Sequence, residues 1–121
     1  MKKTKGQIEA QISEAITKFE KEYMGRGPKE TKTYILKDMV FVRLKGVLTL
    51  AEEKLAQSPE GADLIKRVRM QLLENGRTLL EKIILENTGA TVKSMHTDIS
   101  TRTGERVIIF ILDKNLEENF F

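Results

Sequence analysis

Thr33-Tyr34-Ile35-Leu36-Lys37-Asp38-Met39-Val40-Phe41-Val42-Arg43-Leu44 is the stretch that decides the fold. Two runs rich in β-branched and aromatic residues flank a polar Lys37-Asp38 step, the pattern of a β-hairpin. With those two residues as the turn, Leu36 faces Met39, Ile35 faces Val40 and Tyr34 faces Phe41, so both faces of the ribbon carry apolar pairs. Such a ribbon wants cover on both sides. Helices of its own chain can supply one cover, and the second face is a candidate for a subunit contact.

Toward the N-terminus, Ile8, Ile12, Ala15, Ile16, Phe19 and Tyr23 recur at steps of three and four, which predicts an amphipathic helix over residues 5–24. Gly25-Arg26-Gly27-Pro28 ends it, since a glycine frees the backbone and a proline cannot continue the ladder. These glycines lie beside Arg26 and Lys29 and could cradle an anion, but the spacing of a phosphate-binding P-loop is missing.

Toward the C-terminus, Thr49 and Glu52 form a capping box for a short helix reaching about Gln57. Ser58-Pro59-Glu60 then opens a long helical segment to Asn87, with Leu64, Ile65, Val68, Leu72, Leu79, Ile83 and the adjacent Leu73, Leu80 and Ile84 on a broad apolar stripe. Unbroken, it would be about 43 Å long, longer than the roughly 35 Å diameter of a compact domain of this size. It must break at Asn75-Gly76 or overhang and pack on a second subunit; an overhanging helix within a homodimer is the favoured expectation. Gly89 caps the segment, and a second hairpin pairs Ala90 to Ile99 with Glu105 to Leu112. Residues 113–121 form a short acidic tail ending Asn119-Phe120-Phe121.

The expected fold is therefore α+β: two helix-plus-hairpin units forming one four-stranded antiparallel sheet with helices packed on one face, in a single domain over residues 1–121. With 40% hydrophobic and 32% charged residues, the chain is too apolar to be disordered and too charged to be embedded in a membrane. No apolar run approaches the roughly 18 residues of a spanning helix, and the start Met1-Lys2-Lys3-Thr4-Lys5 leads into no signal-peptide core, so a cytoplasmic protein is expected. The absence of cysteine removes disulfides, thiolate metal sites and cysteine nucleophiles. The net charge of +3 resides in residues 1–32, which carry eight Lys/Arg against five Asp/Glu; residues 33–121 balance at thirteen each. That balance and the scarcity of aromatics disfavour nucleic-acid binding.

Candidate chemistry concentrates between the strands of the second hairpin, in His96-Thr97-Asp98-Ile99-Ser100-Thr101-Arg102-Thr103-Gly104-Glu105-Arg106-Val107. Alternation sends Val92, Ser94, His96 and Asp98 to one face and Lys93, Met95, Thr97 and Ile99 to the other. A carboxylate beside an imidazole raises its proton affinity and orients it, as a general base needs and as a structural hydrogen bond also would. Ser100, Thr101, Arg102 and Arg106 crowd donors at the tip, and the two guanidiniums could hold a carboxylate, phosphate or bicarbonate-like anion. The alternative is local turn chemistry, with hydroxyls bonding the turn and Gly104 supplying a positive φ. Carboxylates without the spacing of a calcium loop, beside a single histidine, predict no metal site, and no cofactor is expected.

Gly25-Arg26-Gly27-Pro28, then Leu44-Lys45-Gly46-Val47-Leu48-Thr49-Leu50-Ala51-Glu52, then the His96–Val107 segment, in that order and at those separations, resemble the MpsC-like family of small bacterial proteins over nearly the whole chain. The family is named for a sodium-translocating, membrane-potential-generating system. The resemblance implies an accessory or regulatory role beside a membrane ion or bicarbonate transport system, peripheral to the membrane, exercised by binding a transport protein or a small anion. It carries over no catalytic residues; with the homodimer expected from the long helix and the two-sided ribbon, a non-enzymatic, homodimeric protein is the leading expectation. The alternatives are a small enzyme using His96 and Asp98 on an anionic substrate and, behind it, a nucleic-acid-binding module.

Overall fold

The computed structural model describes residues 3–120, without the side chains of Asn119 and Phe120; Met1 and Lys2 of the basic start and Phe121 of the tail lie outside the described residues. Helix α1 (Lys5–Met24) begins at a capping box, Thr4 Oγ1 accepting from the Gln7 amide while Gln7 Oε1 accepts from the Thr4 amide. It ends at Gly25 in the left-handed region, φ +89°. Strands β1 (Glu30–Leu36) and β2 (Met39–Lys45) pair in the expected register, Leu36 with Met39, Ile35 with Val40 and Tyr34 with Phe41. Lys37 holds the turn at φ +57°, its carbonyl accepting from the Leu116 amide of a C-terminal 3₁₀ turn (Leu116–Phe120).

Helix α2 (Leu50–Leu55) starts at the Thr49–Glu52 capping box, and α3 (Pro59–Asn75) at Ser58 with Pro59 in its first turn. The long segment does not overhang as one helix. It breaks at Gly76, and α4 (Arg77–Thr88) follows, giving pieces of about 26 and 18 Å that each fit within a compact domain. Close packing accounts for the glycine at the break: a Cβ at residue 76 would lie 2.6 Å from Cζ of Phe19 on α1. The apolar stripe also divides, since Ile65, Leu73, Leu80 and Ile84 are buried while Leu64, Val68 and Leu79 stay about half exposed.

Strands β3 (Val92–Ser100) and β4 (Glu105–Leu112) complete one antiparallel sheet in the order β1-β2-β4-β3. Its buried side chains, among them Ile35, Val40, Val42, Ile108 and Phe110, lie on the face covered by the helices, where they join Ile12, Ile16, Leu80 and Ile84 in one core. A register shift between Val92 and Ser94 corrects the expected alternation: Val92 pairs with Leu112 and Ser94 with Ile111, so Lys93 is an extra residue and Val92 joins Met95 and Ile99 on the covered face. His96 and Asp98 remain together on the opposite face, beside Ile109 and Val107.

The segment between β2 and α2 belongs to no regular element, yet Val47 and Leu48 are buried. The Val47 amide donates to the Gly104 carbonyl at 3.0 Å. The Val47 carbonyl accepts from Arg69 Nη2 at 2.9 Å and the Leu48 carbonyl from Arg26 Nη1 at 2.6 Å. Three distant parts of the chain meet there.

Candidate functional site

The tip of the second hairpin is built by its own backbone and hydroxyls. The Gly104 amide donates to the Ser100 carbonyl at 2.8 Å, the Thr103 amide to Ser100 Oγ at 3.2 Å, and Gly104 takes φ +73°. Ser100 is thus engaged in the turn. Arg102 projects exposed beside a depression of about 300 Å³ lined by Leu48, Glu53, Gln57, Thr101, Arg102 and Gly104. Thr101 and Arg102 therefore share one surface; Arg26, bonded to the Leu48 carbonyl, ties the loop after α1 to the loop before α2.

Arg106 does not join Arg102. Period-two alternation along β4 places it in line with Ile108, Phe110 and Leu112, on the covered face, and its residue exposure is 0%. Nε, Nη1 and Nη2 are all buried without a hydrogen-bond partner, as is Oε2 of the buried Glu20 on α1. Burial pushes the Glu20 carboxyl above its usual range, against the opposing pull of Arg106 and Arg69. Burial likewise lowers the Arg106 pKa, against the fields of Glu20 and Asp98, with Arg69 adding to the lowering. The two charged groups feel each other without closing an ion pair.

Arg69 of α3, also buried, is engaged through Nε and Nη2. It donates through Nε to Glu52 Oε2 at 2.8 Å, and through Nη2 to Glu52 Oε1 at 2.6 Å and the Val47 carbonyl. Burial pushes Glu52 upward, but the hydrogen bonds from Arg69 and Thr49 outweigh it and hold the carboxylate below its usual range. The interior thus contains a polar cluster, Glu20, Arg69 and Arg106, of which only Arg106 was singled out in the sequence. Glu20 four residues after Ile16, and Arg69 midway between Ile65 and Leu73, were the available signals: charges standing at apolar stripe positions.

His96 and Asp98 share a face without bonding each other. His96 is exposed and its Nε2 meets Ser94 Oγ at 3.2 Å; Asp98 Oδ1 accepts from the Ile99 amide and lies 3.6 Å from Lys66 Nζ. The carboxylate that would orient the imidazole is engaged elsewhere. A groove of about 710 Å³ runs between α1 and the outer edge of β1, where Thr17 bonds Thr31, Ser13 meets Thr33 and Glu9 accepts from the Ile35 amide. Its hydroxyls are spent on one another, and they serve to cover a sheet edge. Among the described residues no cluster of three His, Cys, Asp or Glu could hold a metal ion, and no helix is long and apolar enough to cross a membrane.

Comparison with known proteins places these features in a family. The uncharacterized protein YbcI of Bacillus subtilis (strain 168) is 54% identical over 119 residues, covering 98% of this chain and 96% of that protein. The uncharacterized protein YrhF of the same organism is 26% identical over 109 residues, 89% of each chain. No solved structure matches. The family model described as "Na+-translocating membrane potential-generating system (MpsC)" matches residues 4–114, and the chain belongs to that MpsC family.

Proposed function

We propose that the protein is an accessory or regulatory component of a membrane ion-translocating system, held at the cytoplasmic side of the membrane and acting by binding a protein partner or a small anion. The observation that carries this reading is the family match across residues 4–114, whose description names a Na+-translocating system, in a chain whose described residues include no helix able to cross a membrane. Translocation itself then falls to a partner. The exposed Leu64 and Val68, four residues apart on α3, with Leu79 on α4, offer apolar surface for such a contact. Arg102 beside Thr101 and Gly104 offers exposed donors for an anion such as bicarbonate. The enzyme reading is less well supported, because His96 and Asp98 bond other groups.

The test is a host strain deleted for this gene. Sodium-dependent membrane potential and bicarbonate uptake should fall, and the intact chain supplied in trans should restore them, whereas a chain carrying Leu64→Glu and Val68→Glu should not. Unchanged potential and uptake in the deletion strain would overturn the proposal. Arg102→Ala separates the two binding modes: it should abolish bicarbonate-induced thermal stabilisation of the purified protein if the anion is held at the tip.

A further inference from the structure

The face of the sheet turned away from the helices carries its own cover instructions. At the end nearest the Lys37–Asp38 turn, paired rows bring Leu36, Met39 and Ile111 together and, beside them, Tyr34, Phe41 and Ile109. Tyr34 and Leu36 are 51% and 53% exposed. At the other end the face is charged. Lys32 on β1 and Lys45 on β2 are cationic and Asp98 on β3 and Glu105 on β4 are anionic; Glu30 on β1 is anionic too and lies 3.8 Å from Lys45 Nζ, and Asp98 lies 3.6 Å from Lys66 Nζ. Register puts Lys32, Arg43, Val107 and Asp98 in one row across all four strands, and Lys45 and Glu105 stand one step beyond it. Lys32 has no ion-pair partner among the described residues, while Glu105 is bonded by Arg43 of its own chain.

We propose that a second copy of this chain packs on this face, sheet on sheet, about a two-fold axis that runs parallel to the strands between β2 and β4. That axis keeps every row opposite itself and sets the two outer strands over each other and the two inner strands over each other, β1 over β3 and β2 over β4. Phe41 then meets Ile109, Met39 meets Ile111, Lys32 meets Asp98 and Lys45 meets Glu105, each twice by symmetry. A two-fold axis across the strands would set the apolar rows on the charged ones, so the pattern selects the direction. Four strands about 4.8 Å apart and seven residues of about 3.4 Å give a footprint of roughly 450 Å². With side-chain relief added, this is on the order of the ~800 Å² per partner of a standard stable interface. Aligned sheets stack about 10 Å apart at roughly −30°, which the usual strand twist permits. The inference is independent of any transport role.

Analytical ultracentrifugation of the full chain tests it. The expected mass is twice 13.8 kDa, and Tyr34→Glu, at a half-exposed position, should shift the protein to monomer. Lys32→Glu or Asp98→Lys alone should weaken association by about tenfold, and the double reversal should restore it. The chain has no cysteine, so mixed single variants report the axis: Lys32→Cys should cross-link with Asp98→Cys and not with itself. A monomer at every concentration overturns the proposal, and so does a monomer that captures some other protein on this face. A dimer indifferent to Tyr34→Glu and to the charge reversals, with circular dichroism unchanged, overturns it equally.

Discussion

Replacing Gly76 by alanine puts the packing at the junction of α3 and α4 under direct test. The backbone there, φ −93° and ψ 4°, is open to alanine, so any penalty comes from packing. The new Cβ would stand 2.6 Å from Cζ and 2.9 Å from Cε2 of Phe19, and 3.2 Å from Cε2 of Tyr23. Phe19 is buried and stacked on Tyr23 with ring centroids 5.0 Å apart, so the ring cannot swing toward its neighbour. Overpacking of this kind costs about 1–3 kcal/mol, against about 0.4–1 kcal/mol recovered from the stiffer unfolded chain. Gly76→Ala should therefore destabilise by about 1–2 kcal/mol, a fall in Tm of about 4–8 °C for a domain of this length. Urea and thermal unfolding measure the change, and the urea slope should be unaltered. In a Phe19→Leu background the obstructing ring atoms are gone, and the same Gly76→Ala substitution should become neutral or mildly stabilising, a coupling that a double-mutant cycle isolates. Gly76→Ala as stable as the parent protein, or an equal penalty in both backgrounds, would refute the argument that the Phe19 ring excludes a side chain at residue 76.

Glu20→Gln should remove a pH dependence. The carboxyl is raised in the folded state, so its contribution is fully present below the unfolded pKa of about 4.3 and lost as pH rises through the folded value; the stability of Glu20→Gln relative to the parent should therefore grow with pH, as denaturation series can show. Glu52 has the opposite sign, its contribution present above the unfolded pKa and lost as pH falls through the depressed folded value, and Glu52→Ala should cost about 2–4 kcal/mol in urea unfolding at neutral pH by stranding buried Arg69. Arg106→Met, which removes a buried charge without a hydrogen-bond partner at similar volume, should leave stability unchanged or raise it by about 1–4 kcal/mol in the same assay, whereas a loss of that size would mean that its attraction to Glu20 outweighs the cost of burying it.

Much of this fold is local and therefore legible. The first hairpin's register follows from a two-residue turn, and helix ends follow from Gly25, the Thr49–Glu52 box, Ser58-Pro59 and Gly89, because each depends on neighbours a few residues away. The extra residue at Lys93 is invisible to alternation, since the pairing with β4 alone defines which residue goes unmatched. Strand order is a long-range choice of the same kind. Between Pro59 and Thr88 two adjacent apolar stripes compete, and only contact with α1 and the sheet decides that Ile65 and Leu80 go in while Leu64 and Leu79 stay out. The candidate site divides similarly. The turn chemistry of Ser100–Gly104 is written in its residue types, but Arg102 and Arg106 part company because one lies in a turn and the other on the core side of a strand.

The loop around Val47 and Leu48 has a consequence for how the molecule opens. Its peptide groups are shared by the Gly104 turn, the Arg69 side chain of α3 and the Arg26 side chain beyond α1. None of those three can fray independently without breaking a bond to the same loop. A stretch with no helix or strand of its own thus fuses both hairpins and the first and third helices into one cooperative unfolding unit, and the amide of Val47 should exchange with solvent as slowly as those of the central strands.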